Sequence, residues 1–179
     1  MFGKCQTKSS ADKQVNSNVD KAVHIDSTIT LLKSKGTLSI DNIRELNIVD
    51  TVYSYGSKGD VYCDTTVQLT NDIFYSIFSL PDTFGVCSYY FVLTVDEKKK
   101  KAIASKFLES ACDIDFSGES YRLYDHFVVS KDSILLRETT FYQKKNRTSN
   151  DEEENIDHKE FKDQYLFIKQ TGEIVLIRK

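Results

Sequence analysis

Asp60-Val61-Tyr62-Cys63-Asp64-Thr65-Thr66-Val67-Gln68-Leu69-Thr70 is the stretch that decides the fold. Val61, Cys63, Thr65, Val67 and Leu69 point one way, and Tyr62, Asp64, Thr66, Gln68 and Thr70 point the other, as a strand with one core face and one wet face requires. Upstream, the β-branched and aromatic run from Val49 to Tyr55 is followed by Gly56-Ser57-Lys58-Gly59, residues suited to a tight reversal, so the two runs read as a hairpin. Downstream, Tyr121 to Ser130 and Ser133 to Tyr142 are separated only by Lys131-Asp132, a connection that forces antiparallel neighbours. A third hairpin closes the chain, with Tyr165 to Lys169 and Glu173 to Ile177 flanking Gln170-Thr171-Gly172. Its strands are apolar on both faces, which predicts a central, doubly covered position.

Helical signals are sparse. Asp41 to Leu46 fits a turn or two behind a Ser39 or Asp41 cap. Ile73, Phe74, Ile77 and Phe78 fit a helix face, so Asn71 to Leu80 is predicted helical and stopped by Pro81, although its aromatic content also suits a strand. Ala102 to Leu108 fits either period. Its place after the β-rich Tyr89 to Val95 and the charged turn Asp96 to Lys100 makes it the return strand of a hairpin. Gln6 to Lys21 is polar and is expected to be unstructured. Lys144 to Asp163 reads as a long charged connection or a short solvated helix. The expected layout is a tether over residues 1–22 and a single β-rich domain over 23–179, with a charged loop at about 144–163.

The composition bounds the function. The chain has 179 residues, 40% hydrophobic and 12% aromatic, enough to bury a real core. A formal charge of -3 and a pI near 5.7 give no positive field of the kind sequence-independent nucleic-acid binding needs, so no nucleic-acid partner is expected. No apolar run approaches the roughly 20 residues that cross a bilayer. One proline and seven glycines leave the turns to Asp, Asn, Ser and Lys. The fold class that follows is mainly β, an antiparallel barrel-like meander or sandwich of roughly eight strands with one or two short helices.

Four cysteines stand at 5, 63, 87 and 112, without a CxxC or a histidine at ligand spacing, so neither a metal site nor a cofactor is expected. Cys63 is expected to be a buried small hydrophobe, and the pairing among Cys63, Cys87 and Cys112 stays open. Cys5 lies before the polar tether of about 16 residues, a layout that resembles the start of a mature bacterial lipoprotein. Only Met1-Phe2-Gly3-Lys4 precede it, and Lys4 stands where that family carries a small residue. The resemblance implies lipidation at Cys5 and a bacterial envelope address, the membrane being reached only through that anchor. A true start at Met1 implies the cytoplasm instead. Low proline with abundant Lys, Asn, Tyr and Phe also resembles proteins of AT-rich bacterial genomes.

No constellation announces catalysis. His24, His126 and His158 are far apart, and Asp125 and His126 leave opposite faces of one strand, so a site at His126 needs a neighbouring strand to complete it. The acidic run from Asp151 to Asp163 lacks the glycine turn and alternating oxygen ligands of a calcium loop. Lys98 to Lys101 reads as a solvated hairpin tip. Tyr62, on the wet face of its strand, is a candidate contact residue together with Gln68 and His126. The leading expectation is a non-enzymatic binding or interaction module for an unknown protein or small ligand. Two alternatives are a cytoplasmic inhibitor of immunity type, whose acidity would suit a basic partner, and an enzyme with a site assembled from scattered Asp, Glu and His.

Overall fold

The computed structural model describes residues 25–39, 42, 60–81, 87–112, 120–144 and 156–177. They form two antiparallel sheets and one helix. The first sheet runs in sequence order through β1 (Thr37–Ser39), β2 (Asp60–Gln68), β3 (Ile73–Pro81), β4 (Cys87–Asp96) and β5 (Lys101–Cys112). The second runs through β6 (Ser120–Ser130), β7 (Ser133–Gln143), β8 (Ile156–Ile168) and β9 (Ile174–Ile177). The mainly β expectation is met, in its two-sheet form.

Helix α1, residues 25–33, covers one face of the first sheet. Ile25, Ile29 and Leu32 recur at helical spacing and pack on Leu38, Val61, Cys63, Phe74, Phe78, Phe91 and Leu93. The helix stops where Lys35 takes a left-handed φ of 55° and the Gly36 N–H bonds the Leu31 carbonyl at 2.8 Å. The opposite face, with Leu69, Tyr75, Ile77, Val92 and Leu108, meets Ile134, Leu166, Ile168, Ile174 and Leu176 of the second sheet. The first sheet is thus the filling of a three-layer stack, which is why β3 is buried on both faces along almost its whole length.

That double burial corrects the helical reading of Asn71 to Leu80. The apolar residues of β3 match a helix face only because both faces of the strand are apolar, and β3 is paired throughout with β2 and β4. The helix-like spacing and the doubly buried strand leave the same short signature, which tertiary packing resolves. The Val49–Tyr55 strand lies outside the described residues, and the hairpin partner found for β2 is β3. Of the segment 41–46 only Asn42 is described, its N–H bonding the Ser39 hydroxyl at 3.3 Å as the expected cap would. The return strand at Ala102 to Leu108 and both the Lys131-Asp132 and Gln170-Gly172 hairpins are present as β5, β6/β7 and β8/β9.

Two further expectations are corrected. The charged stretch up to Asp163 is neither loop nor solvated helix from Ile156 onward, but a strand of 13 residues, the longest among the described residues. The closing hairpin is not central, since β9 is an edge strand and its Ile177 is 46% exposed. The described turns, 69–72, 97–100, 131–132 and 169–173, lie together at one pole of the stack, because consecutive strands alternate in direction. Strand ends joined by the connections 40–59, 82–86, 113–119 and 145–155 lie at the other.

Tyr75 sits between the sheets, fully buried, with no partner for its hydroxyl. Burial, aided by the charge of Asp132, pushes its pKa up to about 12. An unfolded tyrosine ionises at about 10, so this group subtracts nothing below that pH and lowers stability as pH climbs from about 10 towards about 12. Tyr75→Phe is expected to raise stability by about 1 kcal/mol at neutral pH, because an unmade buried hydrogen bond is removed. It should also flatten the alkaline decline. Urea unfolding at neutral and alkaline pH checks both, and a loss of stability at neutral pH would contradict the orphaned hydroxyl.

Candidate functional site

β6 carries His126 across the first sheet. Its Nδ1 lies 2.6 Å from Oε1 of Glu109 on β5, and its ring tilts against Tyr90 of β4 with centroids 5.0 Å apart. Burial pushes the Asp64 carboxyl up, against the pull of His126 and Lys35. Burial, Asp64 and Glu109 together push the Tyr90 phenol up. Three chemistry-bearing side chains therefore meet where the two sheets join, with Asp64 within electrostatic reach, and only His126 among them was singled out from sequence. Its partners come from β2, β4 and β5, more than 15 residues away in the chain, so no local spacing could have found them.

What this cluster can do is limited by its surroundings. Glu109 is only 6% exposed, and its second oxygen, Oε2, has no partner. Glu109 also lines a cleft of about 130 Å³ with Tyr124, Glu138, Lys162 and Gln164, whereas His126 is not among the walls. The arrangement is a hydrogen-bonded tie between sheets, His126 being held by a carboxyl group on one side and an aromatic ring on the other. No group of three or more His, Cys, Asp or Glu side chains suited to a metal ion occurs among the described residues.

The other sequence candidates are scattered. Tyr62 is 51% exposed on β2, in the row Thr37, Tyr62, Ser79, Tyr90, Glu109 across the first sheet. Gln68, at the far end of β2, is taken up by the adjoining turn, its Nε2 donating to the Thr70 carbonyl at 2.7 Å. Cys5 lies outside the described residues. Cys63 is a buried free thiol donating to the Leu32 carbonyl at 3.4 Å, the role of a small hydrophobe as expected.

Cys87 is disulfide-bonded, and the backbone register sets Cys112, the last residue of β5, directly across from it. Opposed residues of adjacent antiparallel strands have the Cα separation a disulfide needs. Non-reducing peptide mapping is expected to yield one bridge joining the Cys87 and Cys112 peptides, with Cys63 alkylated only after unfolding. A bridge from Cys87 to Cys63 would contradict the register.

The largest uncompensated feature is the second sheet. Its register sorts the side chains by face: Leu123, Asp125 and Phe127 of β6 share the outer face with Arg137 and Phe141 of β7, Lys159, Phe161, Asp163 and Tyr165 of β8, and Ile177 of β9. Leu123, Phe127, Phe161 and Ile177 are 37%, 45%, 61% and 46% exposed. Two of the charges on the face are matched to each other and a third, Lys159, lies over the Phe141 ring. Arg137 holds Asp163 through two bonds of 2.8 and 2.9 Å, keeping that carboxyl below the usual range, and stacks over Phe161. Three or four strands about 4.8 Å apart and some ten residues long give a face on the order of 500 Å², the size at which an apolar patch on a monomer is usually a contact surface. Sequence reading missed it because β8 was read as loop.

No family model matches the chain, and no curated protein or solved structure matches it.

Proposed function

We propose that the chain is a non-enzymatic binding module that engages a protein partner through its second sheet. The observation that carries this reading is the concentration of four of the eight exposed large hydrophobic side chains among the described residues, Leu123, Phe127, Phe161 and Ile177, on one sheet face. Arg137 and Asp163 on that face are matched to each other, which lowers the cost of covering them. The His126–Glu109 pair fits a structural role, since Glu109 is already engaged and deeply buried. The disulfide at Cys87 suits an oxidising compartment. It agrees in direction with the envelope address implied by Cys5.

The test is site-specific photo-crosslinking in the cell that makes the protein. A photoreactive residue in place of Phe161 or Phe127 is expected to give a discrete higher-mass adduct, and one in place of the exposed Lys169 is expected to give none. Equal labelling at all three positions, or no adduct at Phe161 and Phe127, sinks the reading.

A further inference from the structure

A sheet edge is a row of unpaired N–H and C=O groups, and proteins guard such edges with shortness, bulges, proline or lysine. Three of the four edges here are guarded. β1 and β9 are only three and four residues long. β5 meets β4 through two register breaks and carries Lys101 and Lys106. β6 has 11 residues, neither proline nor lysine, and its one register break falls at the turn end, between Val128 and Ser130. It supplies five of the eight exposed large hydrophobics among the described residues, Tyr124 and Val128 on its inner face, Leu123 and Phe127 on the outer, and Val129 at the register break. Arg122, Asp125 and His126 do not guard it either. Arg122 faces Glu138 at 3.5 Å, Asp125 lies opposite Arg137, and His126 is bonded to Glu109. Among the described residues, the backbone of β6 pairs only with β7.

The space beside that edge is shaped. The β8–β9 turn rests on β5, where Gly172 meets Ile103, and the β6–β7 turn lies by β3, where Asp132 acts on Tyr75. The free edge of β6 therefore looks towards β2 and β1. There the inner face of the first sheet carries Thr37, Ser39, Asp60 and Tyr62, all exposed and uncovered by the second sheet among the described residues. This ledge extends past β6, so a second copy pairing edge to edge would bring its own ledge into the same layer. A single extended strand meets no such obstacle.

We propose that β6 is a docking edge for an extended peptide segment of another protein, added as a fifth strand of the second sheet, with apolar residues alternating with Lys or Arg. The apolar residues continue the outer face beyond Leu123 and Phe127. The basic residues turn inward over the ledge, where Asp60 and Asp64 supply carboxylates and the chain as a whole carries -3. Tyr62 packs against the stems of those side chains. This inference rests on the binding-module reading and adds its partner class.

The experiment titrates the full chain with two fluorescently labelled nonapeptides, one alternating valine with lysine and one alternating valine with glutamate. Amide hydrogen exchange of β6 is followed alongside. The basic peptide is expected to bind at least tenfold more tightly than the acidic one and to slow exchange of β6 amides. Val128→Lys, an edge guard, is expected to weaken it at least tenfold, and Val128→Thr, which keeps the strand, to leave it within a factor of two. Equal or absent binding of the two peptides overturns the proposal. So does full protection of both sides of β6 without peptide, which would mean the chain's own residues 40–59 fill the edge, or concentration-dependent self-association, which would mean a second copy does. If the peptides fail while photo-crosslinks at Phe161 persist, only the edge proposal falls. If both fail, the binding-module reading falls with it.

Discussion

Gly172→Ala is expected to lower stability by about 3 kcal/mol, the sum of two separable penalties. Gly172 turns the chain between β8 and β9 with φ of 85°, a conformation that costs an L-residue about 1–2 kcal/mol. A Cβ there would also strike the side chain of Ile103, whose Cγ2 and Cβ lie 3.2 and 3.3 Å away and cannot swing aside like a chain tip. Overpacking of this kind costs about 1–3 kcal/mol. The turn cannot simply retreat, because the Gly172 carbonyl accepts the Thr94 hydroxyl at 2.6 Å and so pins the second sheet to the middle of the first. Adding Ile103→Ala to Gly172→Ala is expected to recover the steric part and leave the backbone part. A loss under 1 kcal/mol in urea unfolding of Gly172→Ala would show that the turn does not dock this way.

His126→Ala is expected to cost about 3 kcal/mol, because it strands the carboxylate of Glu109 in the interior. Oε1 loses its partner at 2.6 Å, Oε2 has none already, and the residue is too buried for water to compensate. The ring's contact with Tyr90 is lost as well. Glu109→Leu should be much milder, since His126 is 18% exposed and its ring nitrogen can turn to water. Combining His126→Leu with Glu109→Leu is expected to recover most of the loss, as replacing both members of a buried pair commonly does. A double-mutant cycle by urea unfolding measures the coupling. Additive losses in it would deny the pair its role as a tie between sheets.

The legible parts of this fold were those in which one face of a strand meets core and the other water. The first half of β2 alternates, with Val61 and Cys63 buried beside Tyr62 and Asp64 exposed, but a bulge between Cys63 and Thr65 splits the expected core face, so that Val61 and Cys63 pack on the helix side of the sheet whereas Val67 and Leu69 pack against the second sheet. Where a strand has the same environment on both faces, periodicity carries no signal. β3 is dry on both sides and was read as a helix. The far half of β8 is wet on both sides, residues 157–162 being exposed, and was read as a loop. Its pairing with β7 is instead held by cross-strand partners: Arg137 with Asp163, Glu138 with Lys162, and Tyr142 stacked on His158 at 4.2 Å. Helix α1 was missed because four apolar residues over nine positions do not rise above a polar background until Leu38 and Phe74 are there to receive them. The candidate site divides in the same way. Tyr62 was visible through alternation, whereas the partners of His126 and the apolar outer face exist only after distant strands are brought together.

The gathering of the described turns at one pole gives the molecule an end that evolution can hardly touch. There Gly172, Asp96 and Asp132 each make contacts fixed by geometry, and an inserted residue would break the alignment of two strands. A lineage carrying this framework is free to alter the rim around the ledge and β6 without re-deriving how the sheets fold, so divergence in partner choice should accumulate there first.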